Sequence, residues 1–243
     1  YDDVVTAYRD PRTSSDKKTE FTPKFGESPL LEHHTTSLVF NDPPLHTRVR
    51  RLIMGALNQR AIQKMEEGLI KLIDELLDDM EDLEAVDIIR DFAARIPIEV
   101  IGNLLDVPRD ERQPLRGWSL AILSALEPAP EKSVLQDGNN AVVAFTDYLK
   151  LLVADRRRSP GDPASDVLTR LISEKEDGEK LTETELLHNC IFLLNAGHET
   201  TTNLIGNGVY ALIKHRDQLE LLAAKPQLAD YAVEELLRYE SPL

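Results

Sequence analysis

The residues of this chain best suited to chemistry are an acid and an alcohol in the middle of an apolar stretch. Glu199 and Thr200 are neighbours within residues 186–210, where most of the side chains are apolar. A carboxylate and a hydroxyl in such a setting carry a desolvation cost unless a partner satisfies them. The small residues Ala196 and Gly197 precede them and would let a flat ligand approach the backbone. The stretch therefore predicts a site where Glu199 and Thr200 handle protons or water beside a cofactor.

Two other interpretations of these residues stay open. Thr200 and Thr201 could bond back to the preceding turn of an ordinary, kinked helix, whereas the cofactor interpretation predicts a helix that is opened locally. His198 and Glu199 also begin like a zinc-protease motif, but Thr202 stands where that motif needs its second histidine. The metal interpretation is therefore the weakest of the three.

A second candidate lies in residues 42–51, which read DPPLHTRVRR. The prolines predict a turn that leads into a helix. His46 and Arg50 are four residues apart, so they share a face of that helix and could hold paired carboxylates of a ligand. The alternative is a solvated basic face on an acidic protein.

A third candidate is the pair Glu235 and Arg238, three residues apart near the end of the chain. The two side chains can form an ion pair on one helix face, worth under about 1 kcal/mol if it is exposed. The spacing is common and by itself indicates no function.

The elements that must position these residues are helices. Apolar residues recur at spacings of three and four along nearly the whole chain after Pro44, and strand patterns are almost absent, so we predict an all-α fold. Thr182 and Glu185 match a capping box at the start of the longest helix, and Pro97 marks a kink or a first turn. Residues 13–41 lack periodicity and are predicted to be irregular. The predicted helices cover residues 45–57, 62–80, 86–105, 109–126, 133–157, 165–174, 182–213, 218–224 and 227–239.

The composition argues against several classes of protein. The 243 residues carry a formal net charge of −15, which disfavours a nucleic-acid partner because such a partner needs a basic face. Polar residues interrupt the best apolar stretch, so no membrane-spanning segment is predicted. The only cysteine, Cys190, excludes an internal disulfide and fits a reducing cytoplasm.

The order of the three motifs is more specific than any one of them. A DPP-x-HTR-x-R turn and helix, a long helix with AGHETT, and Glu-x-x-Arg followed by Tyr-Glu-Ser-Pro together resemble the cytochrome P450 family, in particular its soluble bacterial type. The resemblance extends over the whole chain. It implies a mostly helical fold around a haem b, and a haem-thiolate monooxygenase that inserts one oxygen atom into a small apolar substrate. Electrons would come from a ferredoxin or a flavoprotein.

The resemblance also implies a role for each candidate residue. Residues 13–41 and 109–126 would line or cover the substrate pocket. Arg48 and Arg51 could contact the electron donor, with exposed solubilising charge as the alternative. His46 and Arg50 would contact the haem propionates, and Ala196 and Gly197 would leave room for dioxygen. Thr200 would form hydrogen bonds beside the iron, and Glu199 would relay protons. Glu235 and Arg238 would form a structural ion pair.

The chain departs from the family in one respect. In the family the cysteine that binds the iron follows the Glu-x-x-Arg helix in a glycine-rich loop, whereas this chain reaches Leu243 directly after that helix. Cys190 lies on the long helix and is predicted to be a small buried core residue. We therefore expect residues 1–243 to be a single partial domain, inactive alone, without the metal ligand, the lead segment and most of the β-sheet. Its uncovered apolar faces predict a homodimer. A non-enzymatic helical module that binds a hydrophobic ligand or partner is the alternative.

Overall fold

The computed structural model describes residues 1–164, 166–173 and 178–242, apart from the side chains of residues 61 and 64. No β-strand occurs among these residues, which confirms the all-α prediction. Short connecting turns are 3-10 helical at Leu38–Phe40, Arg109–Glu111 and Pro226–Leu228 and π-helical at Ile88–Ala93. The α-helices are α1 (Asp2–Arg9), α2 (Lys18–Phe25), α3 (Pro29–Thr36), α4 (Leu45–Ala56), α5 (Gln59–Glu81), α6 (Arg95–Leu104), α7 (Gln113–Ser124), α8 (Lys132–Arg158), α9 (Val167–Ser173), α10 (Glu183–Lys214), α11 (Arg216–Ala224) and α12 (Ala229–Tyr239).

The longest element, α10, carries the candidate acid and alcohol. Its first turn is closed by the predicted capping box: the Glu185 N–H donates to Thr182 Oγ1 at 3.2 Å, and the Thr182 N–H donates to the Glu185 carboxylate at 2.8 Å. The 32 residues of α10 extend over about 48 Å. Helices α3, α6, α7 and α8 pack against it. This helix therefore crosses the core and holds its middle turns in a rigid setting.

The main core lies where α7, α8 and α10 meet. Ile122 of α7, Phe145 and Leu149 of α8 and Ile191 of α10 are completely buried within one apolar cluster. Burial of each such side chain contributes roughly 1.5–3 kcal/mol. A smaller cluster, which includes the buried Leu76, joins α5 to α6. These contacts fix the side of α10 that faces the interior.

The prediction that residues 13–41 are irregular is wrong, because the segment contains α2, α3 and a 3-10 turn. The Ser28 hydroxyl caps α3 by accepting from the Leu31 N–H at 3.3 Å. Pro29 occupies the first helical position, where its missing N–H costs nothing. Each of the two helices has only eight residues. Two turns are too few for an apolar periodicity to stand out in the sequence.

Two predicted helices are interrupted in the structure. The predicted helix at 86–105 is divided into the π-helical turn and α6, with Pro97 in the first turn of α6. The predicted helix at 109–126 is divided into a 3-10 turn and α7. Of the helix predicted at 165–174, α9 confirms the middle, while Ser165 and Glu174 lie outside the described residues.

The other predicted helices agree with the structure to within three residues at each end. Within the described part of the chain, none of the helices combines the length and the apolar character needed to cross a lipid bilayer.

Candidate functional site

Around the AGHETT motif, α10 is buried on one side and open on the other. Residues three or four apart share a helix face, and Ala196, Glu199 and Thr200 have that spacing. Ala196 is exposed, while Glu199 and Thr200 are half-buried. We call this side the open face of α10. The opposite side is buried and carries Cys190, Ile191, Leu194, His198 and Thr202.

The prediction of a locally opened helix is wrong, since α10 is α-helical without interruption through residues 196–202. The Thr200 hydroxyl donates to the Ala196 carbonyl oxygen at 3.0 Å, and the Thr202 hydroxyl donates in the same way to His198 at 2.9 Å. The predicted back-bonding is thus confirmed for Thr200. The Thr200 oxygen keeps its lone pairs, so it can still accept a hydrogen bond from a group at the open face.

Glu199 is the acid of the open face. It makes no hydrogen bond or ion pair with any residue that the structure describes, so its carboxylate is available to a ligand or to water. One turn further along the same face, the Asn203 amide donates to the Pro242 carbonyl oxygen at 3.1 Å. Acid and hydroxyl therefore stand side by side, with a tethered backbone segment next to them.

Gly197 lies beside the open face but serves helix packing. A Cβ atom added at this position would lie 2.7 Å from Cδ1 and 3.3 Å from Cγ1 of Ile101 on α6. Carbon atoms in contact are normally about 3.5–4.0 Å apart. The space that the glycine leaves is thus taken by α6, and of the two small residues of the motif it is Ala196 that borders the open face.

His198 faces the interior of the protein. It is 1% exposed, and neither of its ring nitrogens has a hydrogen-bond partner among the described residues. Burial, and secondarily the charge of Arg116, lowers the pKa of His198 to about 4, so the imidazole is neutral at pH 7. Among the described residues no group of three or more His, Cys, Asp or Glu side chains is placed to hold a metal ion.

His46 and Arg50 lie on α4 with the predicted spacing of four. The His46 N–H donates to the Asp42 carbonyl oxygen at 3.1 Å and starts the helix. His46 is half-buried and Arg50 is exposed. Arg50 makes no ion pair with any residue that the structure describes. Its five N–H donors are therefore free for an anionic group.

Arg48 and its partner Glu185 form a link between helices that the sequence did not indicate. The Arg48 guanidinium bonds to the Glu185 carboxylate, and its Nε lies 3.5 Å from Glu179. Burial acts to raise the pKa of Glu185, but the hydrogen bonds from Arg48 and Thr182 outweigh it and leave the pKa below its usual range. Arg48 therefore ties α4 to the first turn of α10. Its contact with an electron donor stays a prediction. Arg51 is exposed.

Glu235 and Arg238 form the predicted ion pair on α12. The Arg238 Nε and Nη2 each donate to a carboxylate oxygen of Glu235 at 2.7 Å. Both side chains are exposed, and α12, which is described throughout, buries none of its residues. Glu235 lines an apolar groove of about 380 Å³ between the end of α10, α11 and α12. The geometry of the pair is confirmed, and its predicted role in locking the core stays a prediction.

Known proteins match this chain along its whole length. The model of the cytochrome P450 family matches residues 120–223. A cytochrome P450 of Bacillus subtilis is 36% identical over 246 aligned positions, and the cytochrome P450 monooxygenase PikC of Streptomyces venezuelae is 37% identical, with both alignments covering all of this chain. The chain belongs to the cytochrome P450 family. It spans 58% and 56% of the lengths of these two relatives.

Solved structures of cytochromes P450 share the helical arrangement. P450BioI in complex with an acyl carrier protein ligated with hexadec-9Z-enoic acid superposes with a TM-score of 0.90 at 33% identity, covering all of this chain and 61% of that one. PksS of Bacillus subtilis superposes with a TM-score of 0.83 at 32% identity, covering 98% of this chain and 58% of that one. The prediction that the chain forms the helical portion of the P450 fold is confirmed. The predicted homodimer finds no support in these similarities.

The family implies a haem, and the described residues fit one side of it. A flat apolar ring needs an uncovered helix face with a small residue, which the exposed Ala196 beside Thr200 provides. Anionic propionates need cations, which the exposed Arg50 provides. Cys190 does not fit as the iron ligand, because it is fully buried on the opposite side of α10 and burial raises the pKa of its thiol to about 12. This confirms the prediction that Cys190 is a small core residue.

Proposed function

We propose that α10 and α4 form the distal, haem-facing part of a haem-thiolate monooxygenase. The reaction inserts one oxygen atom of dioxygen into a carbon–hydrogen bond or a double bond of a small apolar molecule. The observation that supports this is the joint position of Glu199 and Thr200 beside the exposed Ala196 on the open face of α10. Haem b, when bound, supplies the iron at which dioxygen is activated.

Thr200 and Glu199 divide the handling of protons in this proposal. The Thr200 hydroxyl donates to the Ala196 carbonyl oxygen, so in this rotamer it accepts from a group at the open face. Rotation about χ1 breaks the hydrogen bond to Ala196, and the Thr200 hydroxyl can then donate to a group at the open face instead. Glu199, which has no partner among the described residues, carries protons inward from solvent. Ala196 leaves the space in which a diatomic molecule can sit. General acid–base assistance of this kind is worth about 10²–10⁴-fold in rate.

His46 and Arg50 hold the two carboxylates of the haem in this proposal. Hydrogen bonds between charged partners are about twice as strong as neutral ones. The ion pair between Arg48 and Glu185 fixes α4 relative to the start of α10. The same ion pair therefore sets where the carboxylate end of the cofactor lies with respect to Thr200.

The proposed enzyme takes electrons from a ferredoxin or a flavoprotein and acts on a small apolar substrate. Fatty-acyl chains carried by an acyl carrier protein fall within that class, and such a chain is the ligand of P450BioI in the structure named above. We place the protein in the cytoplasm, which the free thiol of Cys190 supports. We treat residues 1–243 as one domain, because a single apolar cluster extends from Phe21 to Leu194.

The test of the proposal compares two adjacent threonines in the complete haem-loaded enzyme supplied with electrons, because Cys190, the only cysteine of residues 1–243, does not fit as the iron ligand. Thr200→Ala removes the hydroxyl of the open face, whereas Thr201→Ala removes an exposed hydroxyl about 100° further around the helix. We expect Thr200→Ala to release peroxide in place of product while electrons are still consumed, and Thr201→Ala to behave like the parent. The same ratio of product to electrons in all three proteins would contradict the proposal.

A further inference from the structure

A groove lined by arginines lies apart from the open face of α10. It is formed by α5, the π-helical turn, α6 and the beginning of α7, and its volume is about 570 Å³. The whole chain has 28 lysines and arginines against 43 aspartates and glutamates, so a basic groove runs against the average charge of the surface. The charged residues of its lining are Glu75, Glu99, Arg90, Arg95, Arg109, Arg112 and Arg116.

The π-helical turn brings two of these arginines to one side. The Ala94 N–H donates to the Ile89 carbonyl oxygen, five residues earlier, at 2.9 Å. In such a turn residues five apart lie nearly above one another, whereas in an α-helix they are about 140° apart. Arg90 and Arg95 are five residues apart and both line the groove. Single π-helical turns are frequently found at functional sites.

Arg112 forms the fixed floor of the groove. Its side chain is 7% exposed. It donates to the Val107 carbonyl oxygen at 2.9 and 2.7 Å, to the Glu99 carboxylate at 2.6 Å and to the Asn103 amide oxygen at 2.8 Å. Arg112 therefore holds the loop before α7 in place and has few donors left for a ligand.

The arginines at the mouth of the groove make fewer contacts with described residues than Arg112 does. Arg116 is exposed and makes no hydrogen bond or ion pair with any residue in the described part of the chain. The Arg109 Nε lies 3.4 Å from the Glu99 carboxylate, which Arg112 already occupies more closely. Arg109 and Arg116 thus present guanidinium donors that the described residues do not fully satisfy.

The positive charges of the remaining two arginines of the groove are partly neutralised by aspartates. Arg90 pairs with Asp91, and the Arg95 Nη1 lies 3.1 Å from Asp79. Even when these two aspartates are counted with the two glutamates of the lining, the arginines are in excess. Guanidinium groups that are crowded together without enough carboxylates repel one another, and a bound anion relieves that repulsion.

We propose that this groove binds a small polyanion, a molecule with two or more phosphate or carboxylate groups, through Arg109 and Arg116, with Arg90 and Arg95 as additional contacts. The planar fork of arginine matches the oxygens of both groups bidentately. The volume of about 570 Å³ suits a small metabolite-sized ligand. None of the residues that line the groove belongs to α10.

The test measures the binding of pyrophosphate, as a phosphate compound, and of citrate, as a carboxylate compound, by isothermal titration calorimetry at constant ionic strength. We expect saturable binding of at least one of them, and an approximately tenfold or greater rise of the dissociation constant in the double variant Arg109→Gln/Arg116→Gln. The matched control is Arg157→Gln/Arg158→Gln, which removes two arginines at the end of α8 that pair with Glu183 and Asp155. The control should bind like the parent protein.

The preferred anion identifies the ligand as a phosphate or a carboxylate compound. No binding of either anion by the parent protein would overturn the proposal, and so would an equal loss of affinity in the control. If the double variant does not fold, Arg116→Gln alone serves, because Arg116 has no partner among the described residues to lose. An unchanged dissociation constant in that variant would also overturn the proposal.

Discussion

Replacing Gly197 with alanine tests whether α6 sets the position of the open face of α10. The new Cβ would lie 2.7 Å from Cδ1 of Ile101, about 1 Å inside normal contact. Ile101 is itself 9% exposed and has little room to move. Overpacking of this kind costs about 2 kcal/mol, while replacing a helical glycine with alanine gains about 1 kcal/mol. We expect the free energy of unfolding to fall by about 1 kcal/mol.

The matched control is Gly68→Ala on α5, where an added Cβ would meet no atom within 4 Å. This exposed glycine should give the full gain of about 1 kcal/mol. Ile101→Val removes the clashing Cδ1 and should cost about 1 kcal/mol by itself. Combined with Gly197→Ala it relieves the clash, so the double variant should be more stable than the sum of the two by about 2 kcal/mol.

Urea unfolding of the four variants measures these differences directly. If Gly197→Ala stabilises the protein as much as Gly68→Ala does, the contact with Ile101 does not restrict α10. If the double variant is simply additive, the two side chains do not meet, and the reasoning is refuted in the same way.

Two further predictions concern the stability of the elements around α10. Burial lowers the pKa of His33, His34 and His188, that of His34 from 6.5 to about 4. The unfolded chain then binds more protons than the folded chain between these pH values, so the free energy of unfolding should fall as the pH is lowered through this range. His34 alone should account for about 3 kcal/mol of this loss by pH 4. In urea unfolding at a series of pH values, the free energy of unfolding of His34→Phe should fall less steeply than that of the parent. Equal slopes for the two proteins would contradict the assignment. Thr182→Ala removes the hydroxyl that caps α10 and should cost about 1 kcal/mol in the same assay, whereas Thr201→Ala, which removes no cap, should leave the stability unchanged.

The long helices were predictable because many turns repeat the same apolar pattern. Helix α10 adds a local signal at its start, since the capping box of Thr182 and Glu185 depends only on residues three apart. The helices α2 and α3 were missed because two turns give too few repeats, and the caps alone, such as Ser28, are weak signals. The π-helical turn was missed because one extra residue shifts the periodicity only locally.

The candidate site was predictable to the extent that it is a matter of residue type and spacing. Glu235 pairs with Arg238 as predicted, and the predicted back-bonding of Thr200 is present. The ion pair of Arg48 with Glu185 could not be predicted from the sequence, because it joins residues that are 137 positions apart in the chain. The contact of Gly197 with α6 was hidden for the same reason, since packing between helices leaves no periodic mark on either sequence.

The most direct measurement of the central claim is the binding of carbon monoxide to the reduced, haem-loaded protein, followed by its optical spectrum. Ala196→Phe places a ring on the open face of α10, while Thr201→Phe places the same ring at an exposed position about 100° away. We predict that Ala196→Phe abolishes carbon monoxide binding or slows it at least about tenfold, a barrier of about 1.4 kcal/mol, and that Thr201→Phe binds the gas like the parent. If both variants bind carbon monoxide at the parental rate, the open face of α10 does not lie over the haem.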